Sequence, residues 1–166
     1  WVVGGAAPED SEDGTRPVAF RRGDGEWVEA ETGLEGVENL YAVWAGAGGI
    51  AAALAKSDAG FALALWDAGT WTLATDWYDE AFDLLVGDDV DALWLGGRSG
   101  LWSWDGTDIT PVEGSPGLVR GIGVVSDGLL VSDYETDRGA IVYRYAGGTW
   151  TEEFATDSWT RAAAGG

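Results

Sequence analysis

The sequence predicts an all-β fold on two observations. Short alternating apolar runs are bounded throughout by Gly- and Asp-containing turns, and one strand-turn-strand plan recurs about every 41 residues. A third observation is the composition. With 46% hydrophobic and 12% aromatic residues in 166, so many large apolar side chains require a packed core, and the length suits one domain.

The recurrence is anchored at Trp27, Trp71, Ile109 and Trp150, which stand 44, 38 and 41 residues apart. Before the first anchor, Val18-Ala19-Phe20 leads into the turn Gly23-Asp24-Gly25. The second repeat has Tyr41 to Ala45 and Ile50 to Ala55, then Ala64-Leu65-Trp66 and the turn Asp67-Ala68-Gly69. The third has Leu84 to Val86 and Ala92 to Leu95, then Leu101-Trp102-Ser103-Trp104 and Asp105-Gly106. In the fourth, Ile122 to Val125 and Leu129 to Val131 precede Val142-Tyr143-Arg144-Tyr145 and Ala146-Gly147-Gly148. Each turn carries Gly or Asp, the residues that suit the positive φ of a hairpin, so each is expected to join two adjacent antiparallel strands.

Each repeat therefore holds four strands, and a four-stranded unit of this length, rich in aromatic and Gly positions, reads as one blade of a β-propeller. The expected fold is four four-stranded blades per chain, over residues 160–166 plus 1–33, 40–76, 82–114 and 119–157. One blade is completed by both termini: Ala162-Ala163-Ala164-Gly165-Gly166 followed by Trp1-Val2-Val3-Gly4-Gly5 copies the internal joins. A closed four-blade ring and half of an eight-blade ring read alike, so the chain is expected as a monomer or as a dimer completing a larger ring. The small first strands, such as Gly121-Ile122-Gly123 and Ala42-Val43, permit a tight ring.

The stretch Ala92-Leu93-Trp94-Leu95-Gly96-Gly97-Arg98-Ser99-Gly100-Leu101-Trp102-Ser103-Trp104-Asp105-Gly106 resembles the repeats of bacterial sensor-type propellers. Trp1-Val2-Val3-Gly4-Gly5 followed by Trp27 is similar to the kelch pattern of a double glycine before a later Trp. The resemblance implies the propeller fold along the whole chain and implies no particular activity, because propellers host enzymes, lectins, receptors and scaffolds.

Missing residue types narrow the chemistry. Without Cys or His there are no disulfides, no thiolate or His-assisted nucleophile and none of the usual zinc sites. A net charge of −20 repels polyanions, so neither nucleic acid nor a membrane is an expected partner. No apolar run approaches the length of a bilayer span, and no signal peptide is visible. Lys56 is the only lysine, Asn39 the only asparagine, and glutamine is absent, a bias that points to an extracellular or periplasmic setting.

Propeller topology gathers the loops joining second to third strands, and fourth strands to the next first strand, on one face. These connections are the long and varied ones, where binding usually resides. The candidate ligand-binding residues there are Trp77, Tyr78, Tyr134 and Trp159, with Asp133, Asp137, Arg98 and Arg138. Aromatic faces beside carboxylates and arginines suit a glycan or a protein ligand. By contrast Trp27, Trp71, Trp94, Trp104 and Trp150 lie on strands and are expected to pack between blades.

The acidic clusters Glu9 to Gly14, Asp88 to Asp91 and Asp133 to Asp137 could offer oxygens to calcium. None has the spacing of a calcium loop, and solvated charge is the plainer reading, so no cofactor is expected. Arg22-Gly23-Asp24 spells an integrin-type tripeptide but consists of ordinary turn residues. Three functions stay open: a non-enzymatic binding module, a glycoside hydrolase or lyase using carboxylates such as Asp79, Glu80, Asp133 and Asp137, and a structural or self-assembling propeller without a ligand.

Overall fold

A computed structural model describes residues 1–6, 15–135 and 137–156. Among them the chain is all-β, with fifteen strands and a single short 3-10 turn. No helix there is long and apolar enough to cross a membrane. The chain divides into two compact units, Trp1–Ala81 and Phe82–Gly166.

The first unit holds two antiparallel meanders. Strands β1 (Val2–Ala6), β2 (Arg16–Gly23) and β3 (Glu26–Ala30) form a three-stranded sheet, and β4 (Asn39–Ala45), β5 (Ala51–Ser57), β6 (Gly60–Asp67) and β7 (Thr70–Leu73) form a four-stranded one. The second unit holds two four-stranded meanders. These are β8 (Phe82–Asp89), β9 (Ala92–Gly97), β10 (Gly100–Trp104) and β11 (Ile109–Pro111), then β12 (Gly121–Val125), β13 (Gly128–Glu135), β14 (Gly139–Ala146) and β15 (Thr149–Thr156). The strand that the repeat assigns to residues 160–166 lies outside the described residues, as do Glu9 to Gly14.

Turn chemistry sets the registers. Asp24-Gly25, Ala68-Gly69 and Gly147-Gly148 all have positive φ, and each closes a two-residue hairpin, with Gly23 opposite Glu26, Asp67 opposite Thr70 and Ala146 opposite Thr149. That turn matches the right-handed twist of its strands. At the start of β6, Gly60 has φ 123°, and a Cβ there would meet the Tyr78 carbonyl oxygen at 2.2 Å. Glycine is thus required where Phe61 and Tyr78 exchange backbone hydrogen bonds of 2.9 and 2.7 Å.

Within each unit the sheets meet face to face. In the first, Ala19 and Ala30 join Ala51, Ala53, Ala55, Ala64, Trp66 and Trp71 in one buried cluster. Trp1 stands edge-on to Trp66 and Trp71, with ring centroids 5.0 and 5.4 Å away. The alanine rows leave room for the three indoles, so small and large side chains interdigitate. In the second unit, Leu101 and Val112 meet Ile122, Leu129 and Val131, with Trp94, Tyr145 and Trp150 packed around them. The first strands of its two sheets, β8 and β12, lie side by side.

Of the strand tryptophans expected to be covered, Trp71 and Trp104 are buried, and Trp94 and Trp150 are half-buried. Trp27 departs from that expectation: it is exposed. Asp133 and Tyr134, expected in a loop, lie within β13, opposite Ile141 and Ala140. The reason is the long β13–β14 ladder, which continues to the pair Glu135 and Gly139.

Candidate functional site

A cleft of about 260 Å³ opens in the second unit where its two sheets meet, lined by Asp88, Trp94, Ser126, Gly128 and Tyr145 among others. Its wall follows from register. Val124 pairs with Leu129, Leu129 with Tyr145 and Tyr145 with Trp150, so one row of apolar side chains crosses all four strands of the β12–β15 sheet. Trp94, from β9 of the other sheet, meets Tyr145 edge-on at 5.9 Å, and Trp150 lies 4.7 Å from Tyr145 on the far side. Trp150 is held by its indole N–H, which donates to the Glu113 carbonyl at 3.0 Å. The aromatic wall is therefore fixed by packing and by a hydrogen bond rather than free to swing.

The polar side of the cleft comes from turns. Asp88 is the last residue but one of β8, and Ser126 sits in the two-residue turn between β12 and β13. That turn is tied to β14, because the Arg144 guanidinium donates to Asp127 and to Glu153, both at 2.7 Å. The two carboxylates push the Arg144 pKa further up, the Glu153 hydrogen bond contributing most. Glycine at 128 and 147 and alanine at 146 keep the opening clear of bulky side chains. Aromatic surface, one carboxylate and a serine hydroxyl thus converge on a space just under the roughly 300–1,000 Å³ of pockets for drug-sized ligands.

The residues singled out from the sequence fall in both units. Trp77 and Tyr78 belong to the first. Trp77 is half-buried against the alanine and tryptophan core, and the Tyr78 backbone is bridged to Phe61. Arg98, Asp133, Tyr134, Asp137 and Arg138 belong to the second. Arg98 is exposed on the β9–β10 turn, and Asp137 is exposed in the β13–β14 connection. Arg138 pairs with Glu152 at 2.6 Å and with Glu135 at 3.6 Å, and the Tyr143 hydroxyl donates to Glu135 at 3.2 Å. This network clips the end of the β13–β15 ladder. Burial, then the Glu135 charge, raises the Tyr143 pKa.

Asp133 is buried, and its carboxylate accepts a hydrogen bond from the Tyr134 N–H. Burial raises its pKa, and the Tyr134 hydrogen bond only partly opposes this. Trp159 lies outside the described residues. Among the described residues no group of three or more Asp or Glu side chains is placed to hold a metal ion.

The cleft lies at the end of the sheets that carries the short turns, so sequence reasoning passed over it. Trp94 reads as packing, and Asp88 as one member of a solvated acidic run. The available signal was the coincidence of Ser126, Gly128 and Gly147, all small, beside hairpins whose strands carry Trp94 and Tyr145. The chain matches no known protein family, no curated protein and no solved structure.

Proposed function

We propose that this chain is a propeller-type binding module, acting without catalysis, and that the β8–β15 cleft takes one ring of a neutral glycan. Support for propeller blades comes from the four-strand repeat, from the meander order of every sheet and from the adjacency of β8 and β12.

The observation that carries the ligand reading is the meeting of Trp94 and Tyr145 with Asp88 and Ser126 around 260 Å³. Aromatic faces cover the apolar C–H patches of a sugar while a carboxylate and a hydroxyl bind its hydroxyl groups. The net charge of −20 disfavours anionic sugars and favours neutral ones. Hydrolysis of a glycoside uses two carboxyl groups across the sugar, whereas the cleft lining contributes Asp88 alone.

The test is a tryptophan-fluorescence titration with neutral mono- and oligosaccharides. Saturable binding is expected, weakened about tenfold or more by Asp88→Asn, which removes a charge-assisted hydrogen bond worth roughly 1.5–3 kcal/mol. Ser126→Trp, which fills the mouth, is expected to abolish it. Both positions are exposed, so the melting temperature should hold. No saturation with any neutral glycan, or unchanged affinity in both variants, would refute the proposal, and release of reducing sugar would replace it with the hydrolase reading.

A further inference from the structure

The two units stack their sheets by one rule. The face bearing the last-strand anchor, Trp71 or Trp150, is covered by the opposite face of the preceding sheet. In the first unit the cover is Ala19 with its cross-strand partner Ala30, and in the second it is Leu101 with Val112, whose N–H bonds the Leu101 carbonyl at 2.9 Å. These are equivalent positions, each eight residues before the anchor of its own sheet (Trp27 or Ile109) and facing the last strand. Both last-strand members are buried, Ala30 at 7% and Val112 at 9% exposure.

Two of the faces not used inside a unit carry large exposed side chains. The corresponding cover pair of the β12–β15 sheet is Val142 with Phe154, and Phe154 is 53% exposed. The corresponding anchor of the β1–β3 sheet is Trp27, which is 54% exposed, whereas Trp71 is 2% exposed. Around Trp27, Val2 and Phe20 line an apolar hollow of about 310 Å³. Val2 and Phe20 are paired in register, so they share that face.

We propose that a second copy of this chain covers these faces, the Phe154 face of each copy seating on the Trp27 face of the other. The pairing continues the stacking that each unit already uses. It is also reciprocal: in a two-copy assembly each Phe154 face and each Trp27 face gains a partner. Charge favours it too. Arg16, Arg21 and Arg22 make β2 the most basic strand, and the segment 15–30 balances them against Asp24, Glu26 and Glu29. An acidic copy therefore meets the least acidic sheet of its partner. This inference stands apart from the glycan cleft.

Light scattering on a sizing column is expected to give about twice the 17.4 kDa of the chain. Trp27→Glu alone and Phe154→Glu alone should each give a monomer with an unchanged far-ultraviolet circular dichroism spectrum, because each homodimer would then carry two spoiled contacts. Mixing the two variants should restore a dimer, since one contact of the mixed pair stays intact. A monomeric wild type, or mixing without recovery of a dimer, would overturn the proposal. If either variant loses its spectrum, Phe20→Ser and Val142→Ser serve in the same mixing experiment.

Discussion

At the scale of single residues, the sheets tolerate a few side chains that local chemistry disfavours. Among the described residues Ala68 is one of two non-glycine residues with positive φ, at 50°, in a turn where the β14–β15 hairpin uses Gly147. An alanine there sets Cβ against its own carbonyl, a cost of roughly 1–2 kcal/mol that Asn largely avoids. Ala68→Asn is expected to raise the melting temperature by about 2–4 °C, read by calorimetry, on the scale of about 1 kcal/mol in a domain of this size. A lowered value would mean that the β6–β7 turn is not strained. Asp133 carries the opposite kind of conflict, a carboxyl buried at 6% exposure whose proton is held more tightly in the folded chain than in the unfolded one. Its contribution to stability is therefore complete below the ordinary carboxylate value of 3.8 and is lost as pH rises through the raised folded value. Asp133→Asn keeps an oxygen for the Tyr134 N–H and never ionises. The stability gain of the variant over the wild type should be near zero at about pH 3 and positive at about pH 7 in urea melts, while a gain that shrinks with pH would contradict the burial argument. Ser132, its neighbour, is also buried, and its hydroxyl has no hydrogen-bond partner among the described residues, so β13 carries two buried polar side chains in succession.

At the scale of elements, the strands and hairpins were legible because two independent signals coincide in each. Alternation places Ala51, Ala53 and Ala55 on one face of β5, and the paired positive-φ residues fix where β6 turns back into β7. Asp105 shows how local the turn signal is: its carboxylate accepts from the Thr107 and Asp108 N–H groups at 3.0 and 2.9 Å, and these hydrogen bonds lower its pKa. What could not be read is which faces find a neighbour. Trp27 carries the same periodic label as Trp71, but periodicity records which position is aromatic and says nothing of whether another sheet lies over it. The cleft was hidden for a related reason. It needs Asp88 and Trp94 brought against Ser126 and Tyr145, and that approach is set by sheet-on-sheet packing across more than thirty residues of chain rather than by any local motif. The loop expected around Asp133 failed on ladder length, since nothing in Asp133-Tyr134-Glu135 says that β13 and β14 continue pairing to Gly139.

At the scale of the whole molecule, the dominant fact is the imbalance of 29 acidic against 9 basic side chains. Two such chains repel at long range, while the faces proposed to join them carry the large apolar side chains Trp27, Phe20 and Phe154, so the opposing terms respond differently to salt. Screening length falls from about 10 Å at 0.1 M to about 3 Å at 1 M, which removes the repulsion and leaves burial of Trp27, Phe20, Val2 and Phe154 nearly untouched. The local attraction between Arg22 and the acidic partner is screened as well, but it involves few charges against many. Dimerisation is therefore expected to tighten, by about threefold or more, between roughly 50 mM and 500 mM sodium chloride, measured by analytical ultracentrifugation. Glycan binding in the cleft, which engages a neutral ligand, should change little over the same range, so one salt series separates the two surfaces. A dimer that loosens with salt would show that arginine contacts, rather than the hollow beside Trp27, hold the copies together.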